Sequence, residues 1–141
     1  MWQTLKNGIR NVCAVMLTAV FLAGILLQNA CVLRRLRGER NFYVYSASSQ
    51  AKMQTALQPL DVFFKTGESV WLDEPIDAYA LMQYFNAEVV YIERVGDTVS
   101  YYGFSPDLPR GIVLQGKAVN LHIAVSPRGC AVGTPIIFGG Y

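Results

Sequence analysis

The hydrophobic pattern of the chain changes sharply after Leu33. The 23 positions from Asn11 to Leu33 carry no charged side chain and lie between Arg10 and Arg34. A helix over this stretch would be roughly 34 Å long, enough to cross a hydrocarbon core of ~30 Å. A core helix of a soluble protein usually turns one polar face to water, so the pattern predicts a transmembrane helix. A cleaved signal peptide is the alternative, but no clean A-x-A site follows and an uncleaved signal-anchor is favoured.

Shorter β and helical patterns follow and predict one small α+β domain over residues 41–141. The predicted elements are a strand at 42–45, a helix from about Gln50 that Pro59 ends, a strand at 69–72, a helix that opens at Glu74-Pro75 and is closed by Asn86, a hairpin of 88–93 and 98–104 around Gly96-Asp97, strands at 112–114 and 118–125 joined by 115–117, and a last strand at 130–138. We expect a small antiparallel sheet with two helices.

The clearest alternation in the chain runs from Ala118 to Val125. Val119, Leu121, Ile123 and Val125 alternate with Ala118, Asn120, His122 and Ala124, which predicts an internal strand with one face in the core. Leu121→Ala is therefore expected to lower stability by about 2–5 kcal/mol. His122 is expected to be a packed or half-exposed residue on the other face, where His122→Ala would cost far less.

Charge divides the chain in the same way as hydrophobicity. Residues 1–40 carry six basic side chains and Glu39, whereas residues 41–141 carry six basic and nine acidic side chains. The first part is predicted to be a membrane anchor whose residues 11–40 contact lipid, including the phosphates through its arginines. A mildly acidic domain lacks the positive surface of a nucleic-acid-binding protein, so no nucleic acid is expected as a partner. The four arginines after Leu33 favour a cytoplasmic domain by the positive-inside rule, although large domains translocate despite such charges.

Two residue pairs could serve an enzyme. Ser49-Gln50-Ala51-Lys52 matches S-x-x-K, and Lys65-Thr66-Gly67 matches the K-T-G of serine β-lactamases. The two motifs lie too close in sequence for that cleft, so a turn and a helix cap are the simpler interpretation. Cys130 and His122 could form a nucleophile and base on adjacent strands, but no third group orients them.

The remaining polar residues do not indicate a metal or cofactor site. Cys13 and Cys31 belong to the anchor, so Cys130 has no partner for a disulfide within the domain, and no C-x-x-C is present. Asp73, Glu74 and Asp77 could hold calcium, but capping of the helix that follows explains them more simply. The aromatic residues exceed the needs of a small core, and some are expected to form an exposed patch for a partner or ligand; they are Phe42, Tyr43, Tyr45, Phe63, Phe64, Trp71, Tyr101, Tyr102 and Phe104.

Several segments of residues 41–141 resemble a family of YwmB-like proteins from endospore-forming Firmicutes, a family labelled "TATA-box binding". The matching segments are 46–51, 67–70, 87–90, 101–106, and the close formed by Val119–Val125 and Gly133–Ile137. The resemblance implies an extracytoplasmic α+β domain behind an N-terminal signal or anchor, linked to sporulation or the cell envelope. It implies no catalytic residue and no cofactor. We therefore expect a single-pass, membrane-anchored, non-catalytic domain that binds an envelope protein or peptide; the alternative is a small hydrolase using Ser49 and Lys52 or Cys130 and His122.

Overall fold

The computed structural model describes residues 1–29, 31–109 and 111–139 and divides into two compact units. The first unit, Met1–Cys31, is the helix α1 (Trp2–Asn29). Its segment Trp2–Leu26 is long and apolar enough to cross a membrane, a property that a signal sequence would share. Helix α1 therefore begins nine residues before the predicted span Asn11–Leu33.

The second unit begins at Val32 and is built on a seven-stranded antiparallel sheet. The strand order is β2-β1-β3-β9-β8-β5-β4. These strands are β1 (Glu39–Val44), β2 (Lys52–Gln54), β3 (Lys65–Leu72), β4 (Glu88–Val95), β5 (Thr98–Phe104), β8 (Leu121–Ser126) and β9 (Gly129–Thr134), while β6 (Ile112–Leu114) and β7 (Lys117–Val119) form a separate hairpin. The fold is α+β, as the sequence predicts.

The core lies between one face of this sheet and the helix α2 (Ala78–Tyr84). Its fully or nearly buried members are Leu33, Val70, Leu72, Ala78, Leu81, Met82, Leu121, Ile123, Cys130 and Val132. The helix begins later than predicted, because Asp77 caps it by accepting a hydrogen bond from the Tyr79 backbone N–H at 2.9 Å. The left-handed Asn86 (φ 50°) and the β4–β5 hairpin at Gly96-Asp97 are confirmed.

The predicted helix from Gln50 is wrong. Lys52–Gln54 instead form β2 beside β1, and the short helical element nearby is a 3-10 turn at Asp61–Phe64. Ser48 Oγ accepts from the Gln50 N–H at 3.2 Å and so makes a local turn rather than a helix cap. Met53 and Leu60 are exposed, so the apolar face of a helix here would have had no core to cover.

Strand β8 is internal, as predicted, but both of its faces are buried. Leu121 and Ile123 point into the core, and His122 on the opposite face is only 3% exposed. His122 is therefore packed rather than half-exposed, and a low cost for His122→Ala no longer follows. The predicted strand 118–125 is also divided, since Asn120 separates β7 from β8, and the predicted last strand ends at Thr134 before a cis Thr134–Pro135 bond.

The segment from Val32 to the start of β1 at Glu39 belongs to the globular unit. Leu33 is completely buried, and its backbone N–H donates to Glu68 Oε1. Arg40 Nη2 donates to the carbonyl oxygens of Leu33 and Leu36, each at 3.0 Å. The globular unit therefore begins before the predicted boundary at residue 41. Leu33 was predicted to lie in the membrane helix, but it belongs to the core of the second unit. Arg34, Arg35 and Arg37 remain exposed.

Candidate functional site

The sheet face opposite α2 is covered in part by the C-terminal segment, residues 135–139. Ile137 lies over Gly133, where an added Cβ would come within 2.6 Å of Ile137 Cγ1. The Ile137 N–H donates to His122 Nδ1 at 3.3 Å, and the Phe138 ring meets the Tyr43 ring edge-on at 5.2 Å. Gly133 therefore lets the chain fold back closely over its own sheet.

A groove of about 350 Å³ lies beside this C-terminal segment. Its floor comes from β1, β3 and β9, and its rim includes the β8–β9 turn. The lining residues are Glu39, Asn41, Tyr43, Met53, Ser69, Val70, Trp71, Arg128, Ala131, Ile137 and Gly139. The volume lies in the range of small-ligand sites.

The groove combines an apolar surface with opposite charges. Glu39 and Trp71 are directly paired across β1 and β3, and both Glu39 and Arg128 are exposed. The Trp71 indole packs against Gly129, the residue after Arg128, since a Cβ there would lie 2.7 Å from Trp71 Cζ2. The Tyr43 hydroxyl and Ser69 Oγ share a buried hydrogen bond of 2.8 Å at the floor. The groove therefore offers an indole surface between one carboxylate and one guanidinium.

His122 lies on the same sheet face in a stack of three rings. Its imidazole is 4.3 Å from the Tyr102 ring, and Tyr102 is 4.3 Å from Tyr91, with both pairs nearly parallel. Burial lowers the pKa of His122 to about 4. The imidazole is therefore neutral at neutral pH, and its Nδ1 accepts a hydrogen bond from the Ile137 N–H. This arrangement holds the C-terminal segment that forms a wall of the groove.

The candidate catalytic pairs are not assembled. Ser49 lies in a turn and Lys52 begins β2, so the helical spacing that brings an S-x-x-K amine to its serine is not formed. Cys130 on β9 is paired with Val125 on β8, and His122 lies three residues before Val125 on the same strand. Because side chains alternate between the two faces of a sheet, His122 and Cys130 point to opposite faces. Burial raises the pKa of the Cys130 thiol to about 11, so it is protonated at neutral pH.

The other polar motifs have structural roles. The half-buried Lys65 Nζ and the buried Glu68 Oε2 form an ion pair at 2.5 Å, which accounts for the lysine of the K-T-G sequence. Asp73 accepts from the Trp71 indole N–H at 3.1 Å, and Asp77 caps α2. Across residues 1–29, 31–109 and 111–139, no three histidine, cysteine or acidic side chains are grouped so that they could hold a metal ion.

Asn120 and Gly133 also have structural roles. Asn120 Oδ1 accepts from the Ser105 N–H at 2.8 Å, and Asn120 Nδ2 donates to the Ser105 carbonyl at 2.7 Å. Gly133 and Thr134 end β9, and the cis Thr134–Pro135 bond leads into the C-terminal segment. No family model, curated protein or solved structure matches the chain closely enough to count as a relative.

Sequence reasoning missed the groove because its lining comes from five separate segments of the chain. Tyr43 and Trp71 stood out as aromatic residues, but no local pattern connects either of them with Arg128. The link is the pairing of β1 with β3 and of β3 with β9, which is a property of the folded sheet.

Proposed function

We propose that this protein is a membrane-anchored, non-catalytic binding module whose groove takes a peptide or a peptide-like component of the cell envelope. The observation that carries the proposal is the groove itself, in which Glu39 and Arg128 border the Trp71 indole. Arg128 can hold a ligand carboxylate by charge-assisted hydrogen bonds, and Glu39 can hold an ammonium group. Trp71 supplies apolar contact area between the two charges.

The placement of the candidate catalytic residues supports binding over hydrolysis. An acyl-transfer enzyme needs its nucleophile within hydrogen-bond reach of a base. His122 and Cys130 face opposite sides of the sheet, and the exposed Ser49 lies outside any helix that could bring Lys52 to it. The hydrolase alternative therefore has no assembled site among the described residues.

Trp71 fluorescence offers a direct test of ligand binding. In a Trp2→Phe background, Trp71 is the single tryptophan of the full-length chain, which would be kept in detergent micelles. A pool of short peptides with free termini should change its emission saturably, and C-terminally amidated peptides should bind less well. Arg128→Ala should weaken binding about tenfold or more, because a hydrogen bond to a charged group contributes about 1.5–3 kcal/mol.

Arg94→Ala is the matched control for Arg128→Ala. Arg94 is also an exposed arginine, but it lies on β4 at the far edge of the sheet. The Arg94→Ala variant should bind the peptides with the same affinity as the parent chain. Equal affinities in the two variants, or a Trp71 emission that no peptide changes, would contradict the proposed groove function.

We also propose that a single membrane-spanning helix anchors this protein and that the second unit lies outside the cytoplasm. There the protein would have a role in sporulation or in the cell envelope. The proposal rests on the apolar helix α1 and on the resemblance to YwmB-like proteins. Alkaline phosphatase fused after the chain should be active, because it folds only where disulfides form. An inactive phosphatase fusion together with a bright cytoplasmic fluorescent-protein fusion would place the unit inside the cell.

A further inference from the structure

A cluster of exposed apolar side chains surrounds the 3-10 turn at the end of β1, on a different part of the unit from the groove. This aromatic patch consists of Tyr45, Leu60, Phe63 and Phe64, each more than half exposed; Leu60 and Phe63 are 73% and 69% exposed. The Tyr45 and Phe64 rings are 5.2 Å apart. Large apolar side chains grouped in this way usually mark an interaction surface.

The patch has a fixed shape. Tyr45 adopts a left-handed backbone conformation (φ 67°), which is rare for a residue with a bulky side chain. Two contacts hold it there: its N–H donates to the Phe64 carbonyl at 2.9 Å, and its hydroxyl donates to Asp61 Oδ1 at 2.8 Å. Such strain persists only where surrounding contacts over-determine the conformation. The Asp61 side chain is only 7% exposed and accepts the Tyr45 hydroxyl, so its carboxylate contributes little to the exposed surface of the patch.

The position of the patch along the chain relates it to the membrane anchor. Helix α1 ends at Asn29 and the globular unit begins at Val32, so the chain between them can extend at most about 10 Å. Within the unit, Leu33 is fastened to Glu68, and Phe64 lies four residues before Glu68. At about 3.3 Å per strand residue, the patch begins roughly 13 Å from this attachment.

We infer that the aromatic patch docks on the surface of the same membrane that α1 enters, with Phe63 and Phe64 in the interface between headgroups and acyl chains. Aromatic side chains favour this interface because their rings tolerate both apolar and polar surroundings. The short connection to the anchor keeps the unit at the membrane, so even a weak contact forms intramolecularly. Exposed Lys52, which lies close enough to Asp61 to act on it electrostatically, adds attraction to anionic headgroups. A docked patch would fix the direction in which the groove faces.

Tryptophan quenching by brominated lipids tests this inference on the full-length chain. The parent chain carries Trp2→Phe, so Trp71 contributes the same background fluorescence in every variant. The probe of the patch is a tryptophan introduced by Phe63→Trp. The control is Val113→Trp, because Val113 is 72% exposed in the separate β6–β7 hairpin. Each variant is reconstituted in phosphatidylcholine and phosphatidylglycerol liposomes with or without bromine on the acyl chains. This readout does not depend on which side of the liposome the unit occupies.

The tryptophan at position 63 should emit at shorter wavelength and be quenched several-fold more strongly than the tryptophan at position 113. Adding Phe64→Asp to Phe63→Trp should reduce that quenching, because a carboxylate opposes insertion; both side chains are exposed, so the core is left intact. Equal quenching at positions 63 and 113, with water-like emission at both, would overturn the inference. That result is also the one expected if the patch serves a protein partner instead.

Discussion

A fragment that begins at Val32 should fold in buffer without detergent, whereas a fragment that begins at Asn41 should be strongly destabilised. The shorter fragment lacks Leu33, which is completely buried in the core, and Arg40, which holds the turn from Leu33 to Leu36. Loss of a large buried apolar side chain alone costs about 2–5 kcal/mol. A small domain has only about 5–15 kcal/mol of stability in total.

Glu68 adds to the expected loss. Its carboxylate is fully buried, with Lys65 on one oxygen and the Leu33 N–H on the other. In the fragment from Asn41 one of these two partners is gone, and an unsatisfied buried charged group costs several kcal/mol.

Thermal unfolding followed by circular dichroism would measure this difference. The fragment from Val32 should show a cooperative transition, and the fragment from Asn41 should melt at least about 10 °C lower or show no transition. Leu33→Ala in the longer fragment is the control, and it should fall between the two. Melting temperatures within about 2 °C of each other would mean that residues 32–40 are dispensable.

Acidification should destabilise the globular unit by about 3 kcal/mol between pH 7 and pH 4. His122 has a pKa of about 4 in the folded chain against 6.5 as a free side chain, because burial disfavours its charged form. Between these values the unfolded chain binds a proton that the folded chain does not, so stability rises with pH across this window. Well above pH 6.5 the imidazole is neutral in both states and contributes no pH dependence.

His122→Asn is the matched variant, because its side-chain oxygen can still accept from the Ile137 N–H but does not titrate. The variant should be less stable at pH 7, since it loses the stacking on Tyr102, but its stability should vary much less between pH 6.5 and pH 4. Urea unfolding at several pH values measures both effects. Asp61, whose pKa the Tyr45 hydroxyl holds below its usual 3.8, acts at lower pH and does not obscure the window. The same pH dependence in the parent and the variant would show that His122 is not the responsible group.

The success of sequence reasoning depended on how local each signal was. The Gly96-Asp97 hairpin and the left-handed Asn86 were predicted because turn chemistry is set by neighbouring residues. The β2 strand was missed because Lys52–Gln54 are ordered by pairing with β1, which overrides a helical spacing in the sequence. Likewise, no pattern around His122 indicates that residues 135–139 will cover it.

Two sequence-local groups of strands meet at the β3–β9 ladder, and this has a kinetic consequence. Strands β1, β2 and β3 are neighbours in sequence and space, as are β4 and β5, and β8 and β9. The ladder from Glu68–Thr134 to Leu72–Cys130 joins residues about 60 positions apart, so its formation requires closing a long loop. Pairings of such high contact order slow folding to the millisecond-to-second range. Because Trp71 is paired with Ala131 across this ladder and both residues line the groove, the groove comes into existence only when that slow step is complete.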